Sequence, residues 1–170
     1  MRGFLGLGSN VGDRRESLQS GVDALAAAGV MVVASSSTYN TDPVGEVLDQ
    51  PDFLNAAIEI DTDLEPEALL DLVKKAEAAL GKTLAGEEDY VHHGPRPIDI
   101  DLLLLGDTEY SSERLKLPHT QVLERRFVLI PLLELDFGLK TPAGDSLADA
   151  LAKMPVSEGV RRAGGPLRTR

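Results

Sequence analysis

Between Gly94 and Asp107 the chain reads GPRPIDIDLLLLGD, an apolar run that contains two acidic residues two positions apart. Such a run predicts a β-strand, whose side chains alternate between two faces. Asp99 and Asp101 are therefore expected on one face, with their backbones roughly 6.6 Å apart because a strand rises about 3.3 Å per residue. The other face would consist of the apolar residues Ile98, Ile100, Leu102 and Leu104.

Two carboxylates that project in the same direction predict a site for divalent cations. Mg²⁺ prefers oxygen ligands, keeps several waters, and commonly binds one or two carboxylates together with substrate phosphates. Paired metal ions in proteins lie about 3.5 to 4 Å apart, and two such carboxylates can bind a pair of ions at that separation. Arg96 lies just upstream, where its guanidinium could bind a phosphate. The alternative is that both acids only line the solvated face of an edge strand.

Composition restricts the class of protein. The chain has 170 residues, of which 42% are hydrophobic, so we expect one domain over residues 1–170 with a single well-buried core. A formal net charge of -11 argues against a partner that is a nucleic acid or an anionic membrane. The absence of cysteine excludes disulfides, thiolate-bound zinc and cysteine nucleophiles. Without a membrane-spanning run or a signal-peptide core, the chain is expected to be cytoplasmic. We also expect a monomer.

The order of predicted elements favours an α+β fold. Strands are expected at 2–7, 30–39 and 53–61 and from about 97, with helices ending at Gly29 and Gly81. A short strand at 115–117 and a partly helical segment at 122–135 follow. This order is that of a ferredoxin-like split βαβ fold, an antiparallel sheet with helices on one face. The other face would be free to bind a ligand.

Two further segments are predicted to lack regular structure. The stretch from Thr83 to His93 has no clear periodicity and contains a short acidic run, so it is predicted to be a loop. Residues 155–170 are rich in arginine and glycine and are predicted to be a loose tail.

The third predicted strand carries a possible pocket for a flat heterocycle. Phe53 and Asn55 share the face opposite to Leu54 and Ala56. The ring of Phe53 could stack on a heterocycle, while Asn55 offers both a donor and an acceptor. The alternative is an ordinary exposed aromatic residue, which needs no functional explanation.

Basic residues cluster late in this acidic chain. Five of them fall within thirteen positions: Arg114, Lys116, His119, Arg125 and Arg126. Guanidinium groups bind phosphate oxygens bidentately and, together with Mg²⁺, offset charge during phosphoryl transfer. The alternative is a solvated helix face.

Two glycine-containing motifs are only weak evidence for a nucleotide-binding site. Gly81-Lys82-Thr83 resembles the end of a phosphate-binding loop, but position 76 is Ala and the segment follows a helix. Gly6, Gly8 and Gly12 follow a strand but have the spacing GxGxxxG, so a nicotinamide-binding oxidoreductase is only a third hypothesis.

Four segments, taken together and in this order, closely resemble the 6-hydroxymethyl-7,8-dihydropterin pyrophosphokinase family. They are GLGSNVGDR (6–14), TYNTDPVGEVLDQPDFLNAAIEI (38–60), GPRPIDIDLLLLG (94–106) and RLKLPHTQVLERRFVLIPLLEL (114–135). The resemblance implies a ferredoxin-like fold. It also implies Mg²⁺-dependent transfer of a diphosphate from ATP to the pterin hydroxymethyl group, giving AMP, in folate biosynthesis.

The resemblance also implies roles for individual residues. Asp99 and Asp101 would bind two Mg²⁺ ions, and Arg96 and Lys82 would stabilise charge during transfer. The residues implied around the pterin are Thr41, Val44, Phe53, Asn55 and Phe127. The residues implied around ATP are Glu77, Arg96, Arg114, Lys116, His119, Thr120 and Arg125. A competing hypothesis is a catalytically silent module that binds a pterin or a nucleotide, although such a module would not need both acids.

Overall fold

The computed structural model describes residues 1–42, 52–85, 98–155 and 159–169. Along the chain the elements are β1 (Arg2–Ser9), α1 (Arg14–Ala27), β2 (Met31–Ser35), β3 (Thr38–Thr41), β4 (Phe53–Asp61), α2 (Pro66–Ala85), β5 (Asp99–Leu105), β6 (Tyr110–Ser111), β7 (Lys116–Leu117), α3 (Arg126–Leu135), α4 (Leu147–Ala152) and β8 (Val160–Gly164). None of the helices in these ranges combines the length and apolar character needed to cross a bilayer.

The main sheet is antiparallel, and its strand order is β5-β1-β4-β3-β8, with β2 also paired to β4. Strand β1 lies between β4 and β5, so the first predicted strand is an interior strand of the sheet and β5 is an edge strand. The short strands β6 and β7 form a separate pair. This arrangement confirms the predicted α+β fold with a ferredoxin-like split βαβ core.

Helices cover both faces of the sheet, so the prediction that one face is free was wrong. One apolar cluster joins α1 and α2 to residues such as Leu5 and Ile58 of the sheet. A second cluster joins α3 and α4 to Phe4 and Ala57 on the opposite face. Those two residues are apolar as well, and an apolar sheet face must be buried against another element. Only the part of this second face that α3 and α4 leave uncovered can bind a ligand.

Two element boundaries differ from the predictions. The strand predicted at 30–39 is divided between β2 and β3 because Ser36 bonds to Ala57 through both its backbone N–H and its hydroxyl, each at 2.9 Å. Helix α2 does not end at Gly81 but continues to Ala85, since a glycine inside a helix costs only about 1 kcal/mol. The predicted loop is therefore wrong for residues 83–85, and its remainder, 86–93, lies outside the described residues.

The C-terminal segment is not loose over residues 159–169. Strand β8 pairs with β3, and Leu167 is buried in the cluster under α1. Two residues of α1 hold the backbone that follows β8: Arg15 donates to the carbonyls of Gly165 and Pro166 at 3.0 Å, and Gln19 exchanges two 2.8 Å bonds with the backbone of residue 168. The sequence pattern gave no sign of these contacts.

Candidate active site

The two acidic residues of β5 lie on the same face of the sheet, as their spacing predicted. Asp99 pairs with Gly8 of β1 and Asp101 pairs with Gly6, so no side chain of β1 stands beside either carboxylate. Both acids line one cavity of about 220 Å³. Ile100, between them, points to the opposite face and is fully buried against α1 and α2.

A β-bulge follows the acid pair. Leu5 pairs with Leu102 and Phe4 pairs with Leu104, so Leu103 is the additional residue. Leu103 and Leu104 consequently both pack against α3 and α4. The expectation that Leu104 shares a face with Leu102 was wrong because a bulge reverses the alternation.

The cavity beside the acid pair, called the first cavity below, lies between the sheet and α3. Its lining includes Thr41, Phe53, Asn55, Asp99, Asp101, His119, Gln121 and Phe127. Asn55 donates its side-chain amide to Thr41 Oγ1 at 2.6 Å. The four described residues predicted to contact the pterin therefore lie together, with one aromatic ring on the sheet and one on the helix.

A second cavity of about 160 Å³ adjoins the first. Its polar lining residues are Lys74, Asp101, Arg114, Lys116, His119 and Thr120. Asp101 and His119 line both cavities. In a chain with a net charge of -11, this second cavity carries three basic side chains as well as the imidazole. Such a lining suits an anionic ligand next to whatever occupies the first cavity.

His119 is a neutral hydrogen-bonding group in this setting. Its ring Nδ1 accepts the backbone N–H of Gln121 at 3.1 Å, and the backbone N–H of His119 donates to the carbonyl of Leu103 at 2.9 Å. Burial lowers the pKa of the imidazole, although the charge of Asp99 partly opposes that shift. Since Nδ1 accepts, the proton of the neutral ring is on Nε2, which is then a donor.

Comparison with known proteins agrees with this geometry. Residues 4–137 match the 7,8-dihydro-6-hydroxymethylpterin-pyrophosphokinase (HPPK) family. The chain belongs to this family. It is similar to the 2-amino-4-hydroxy-6-hydroxymethyldihydropteridine pyrophosphokinase of Methylorubrum extorquens, with 46% identity over 162 residues that cover 95% of this chain and 98% of the relative. The protein of the same name from Bacillus subtilis is 44% identical over 159 residues, covering 93% and 87%.

Longer HPPK proteins also match. The folate synthesis bifunctional protein of Arabidopsis thaliana is 42% identical over 131 residues, which are 77% of this chain and 26% of that protein. Among solved structures, wild-type HPPK-DHPS of Plasmodium falciparum with pteroate has a TM-score of 0.68 at 13% identity. The match covers 89% of this chain and only 44% of that one, and it supports the fold alone. By its family, this HPPK chain transfers diphosphate from ATP to 6-hydroxymethyl-7,8-dihydropterin in folate biosynthesis, as the sequence predicted.

Two residues predicted to contact ATP, Glu77 and Arg125, are not among the residues that line the first or the second cavity. Glu77 is buried, and its carboxylate accepts the backbone N–H of Ile100 at 2.8 Å and lies 3.6 Å from Lys74. It therefore holds β5 to α2 at the residue between the two acids. Arg125 is the residue that precedes the first turn of α3.

Three other predicted residues are not described at the level of side chains. Val44 and Arg96 lie outside the described residues, and Lys82 is known here only as a helical position of α2. The structure in turn adds Gln121 to the first cavity and Lys74 to the second. Lys74 lies three residues before Glu77 on α2, so helical spacing could have suggested it. Gln121 follows no periodic pattern.

The donors at the acid pair fit Mg²⁺ better than a transition metal. Within the described ranges there is no group of three or more His, Asp or Glu side chains that could hold a metal ion. An ion at this pair would complete its coordination with water and phosphate oxygens, which is the coordination that Mg²⁺ accepts readily.

Proposed function

We propose that the first cavity binds the pterin, that the second binds the phosphates of ATP, and that Asp99 and Asp101 hold two Mg²⁺ ions between them. The observation that carries this assignment is the position of Asp101, which lines both cavities. A diphosphotransferase must bring its two substrates together at one point, and a carboxylate at the boundary between two adjoining cavities is suited to that task.

The aromatic residues of the first cavity support pterin binding. Phe53 on β4 and Phe127 on α3 contribute rings from the sheet and from the helix, so a flat ring system can stack between them. Because the Asn55 amide group donates to Thr41, its Oδ1 can accept a hydrogen bond from the polar edge of the ligand. Val44 would add a backbone contact, as the family resemblance implies.

The basic residues of the second cavity support phosphate binding. Arg114, which lines the cavity, donates to Asp71 on α2 and lies 3.4 Å from Glu67, so its guanidinium is held in place by two carboxylates. Lys116 and Lys74 add positive charge, and the Nε2–H of neutral His119 can donate to a phosphate oxygen. Arg96 and Lys82 would stabilise further charge in the transition state, again as the resemblance implies.

The reaction follows from this placement. The hydroxymethyl oxygen attacks the β-phosphorus of ATP, the bond between that phosphorus and the α-phosphate oxygen breaks, and AMP leaves. Mg²⁺ held by Asp99 and Asp101 would lower the pKa of the attacking hydroxyl and offset the phosphate charge. Phe53 and Phe127 fix the orientation of the pterin, so the side chains contribute mainly by positioning. We propose no dedicated side-chain base, because the hydroxyl proton can pass to water.

The decisive experiment removes both carboxylates while keeping their size. The double variant Asp99→Asn with Asp101→Asn should lose AMP formation from ATP and hydroxymethyldihydropterin by about 10²-fold or more. It should still bind the pterin in the absence of Mg²⁺, measured by fluorescence. Asp63→Asn, on the loop between β4 and α2, is the matched control and should be as active as the wild type.

Two outcomes would overturn the proposal. AMP formation that survives in the double variant would show that the acids do not seat the catalytic ions. Wild-type protein that binds both ligands with Mg²⁺ present but forms no AMP would favour the silent binding module instead. Chelation of Mg²⁺ should abolish wild-type activity, and re-addition should restore it.

We also propose that the protein acts as a cytoplasmic monomer. Its lack of cysteine suits a reducing compartment, and its net charge of -11 disfavours self-association. Light scattering of the purified protein across a range of concentrations tests the monomeric state.

A further inference from the structure

Glu134, in the last turn of α3, joins that helix to the sheet. Its Oε2 accepts the backbone N–H of Ser37 at 2.7 Å and the Ser37 hydroxyl at 3.0 Å. Its Oε1 accepts the hydroxyl of Tyr39. One carboxylate thus receives three hydrogen bonds from two residues at the start of β3. Hydrogen bonds to an ionised acceptor are about twice as strong as those between neutral groups.

These contacts lie in line with the first cavity. On β3, Tyr39 and Thr41 share a face because they are two residues apart, and Thr41 lines the cavity. On α3, Phe127 and Pro131 line the cavity, and Glu134 follows on the same face of the helix at the spacing i, i+4, i+7. The helix that forms one wall is therefore joined to the strand beside it directly beyond the end of the cavity.

The hydrogen bonding of α3 is incomplete at two points. Arg125 at the N-cap makes no side-chain capping bond, and Pro131 removes a backbone donor from the middle of the helix. The backbone within α3 therefore cannot by itself determine how far Phe127 stands from the sheet. Glu134 is a polar side chain that ties α3 to β3.

The groups around Glu134 keep its hydrogen-bond donors available to it. Arg162 of β8 donates through Nε to the Ser37 hydroxyl at 3.2 Å, which leaves that hydroxyl proton for Glu134. Burial and the bond to Glu134 together raise the pKa of Tyr39 to about 12. Tyr39 is therefore a hydrogen-bond donor throughout the physiological range of pH.

We propose that Glu134 is a positioning residue for the pterin: it sets the width of the cleft between Phe127 on α3 and Phe53 on the sheet. This inference rests on the proposed placement of the pterin in the first cavity. It assigns Glu134 no contact with substrate, and it concerns the pterin side of the site, because α3 does not line the second cavity in the described part of the chain.

The test compares Glu134→Ala with Glu134→Gln. Loss of the three bonds in Glu134→Ala should raise the KM for the pterin about tenfold and leave the KM for ATP within about twofold of the wild type. Glu134→Gln should recover most of the pterin affinity, because its amide oxygen can accept from Ser37 and its NH₂ can donate to the Tyr39 oxygen. Glu109→Ala, an exposed glutamate before β6, is the matched control.

A purely structural role predicts a different pattern. If Glu134→Ala only reduced the fraction of folded protein, kcat would fall and both KM values would stay at the wild-type level. A pterin KM that stays within about twofold of wild type, or a parallel rise in both KM values, would overturn the inference.

Phe127→Ala distinguishes this inference from the proposed function. If Phe127→Ala raises the pterin KM while Glu134→Ala does not, only the role of Glu134 is wrong. If neither variant changes the pterin KM, the placement of the pterin in the first cavity is wrong, and the inference about Glu134 is wrong with it.

Discussion

Asn55 and Gly8 are direct partners across β4 and β1, and the Asn55 amide lies where a side chain at position 8 would begin. A Cβ atom built on Gly8 would stand 2.8 Å from Asn55 Oδ1. The amide cannot move aside freely, because its nitrogen is bonded to Thr41 at 2.6 Å. The glycine therefore preserves the position of the group that we assign to the polar edge of the pterin.

Replacement of this glycine should weaken pterin binding. In Gly8→Ala the new methyl group displaces the Asn55 side chain, so we expect the Kd for the pterin to rise about tenfold through loss of one well-placed hydrogen bond. Affinity for an ATP analogue should be unchanged. Gly165→Ala is the matched control, because a Cβ atom there meets no atom within 4 Å. Unaltered pterin affinity in Gly8→Ala would contradict the role of Asn55.

The two rings of the first cavity should contribute most of the pterin affinity. Phe127→Ala removes one face of the stack, and loss of stacking costs about 1–3 kcal/mol, or roughly 5- to 150-fold in Kd. Phe137→Ala is the control, since that ring lies just beyond α3 and is 73% exposed. Fluorescence titration of both variants with the pterin measures the difference. Equal affinities would show that Phe127 does not stack on the ligand.

The alternation of side chains between the two faces of a strand was the most reliable guide in the sequence to which residues lie together. It correctly placed Asp99 with Asp101, and Phe53 with Asn55, because the side-chain period of a strand is a local property. It failed at Leu104, since the bulge at Leu103 depends on pairing with β1, which is distant in sequence.

The features that the sequence did not predict are contacts between distant segments. Strand β8 is exposed and rich in arginine, and its pairing with β3 depends on residues more than a hundred positions away. Helix α4 has only six residues, too few for a periodic apolar pattern. The same limit applies within the site. The sequence pattern could not show that the Glu77 carboxylate on α2 accepts a hydrogen bond from the backbone of β5, because the two segments are distant in sequence.

Acidification should destabilise the protein through His119. Burial lowers the pKa of this imidazole below its ordinary value, so between the two values the unfolded chain binds more protons than the folded one. The contribution to stability is therefore complete above the ordinary pKa, near pH 6.5, and is lost as the pH falls toward the lowered value.

This dependence can be isolated by comparison with His119→Gln. Urea denaturation at about pH 5 and about pH 7.5 should show a larger loss of unfolding free energy for the wild type than for the variant, which has no imidazole at that position. Carboxylates titrate in both proteins and cancel in the difference. If the wild type and the variant lost equal stability on acidification, His119 would not be the group responsible.

Leu167 should stabilise the fold although it lies three residues from the end of the chain. Its side chain is 4% exposed and packs in the cluster beneath α1, so Leu167→Ala should lower the free energy of unfolding by about 2–5 kcal/mol. Arg168→Ala is the control: that side chain is exposed, and the bonds that Gln19 makes there involve only backbone atoms. Chemical denaturation of the two variants provides the measurement. If Leu167→Ala were as stable as the wild type, the segment after β8 would be loose in solution, because removing a side chain that packs against nothing leaves the stability unchanged.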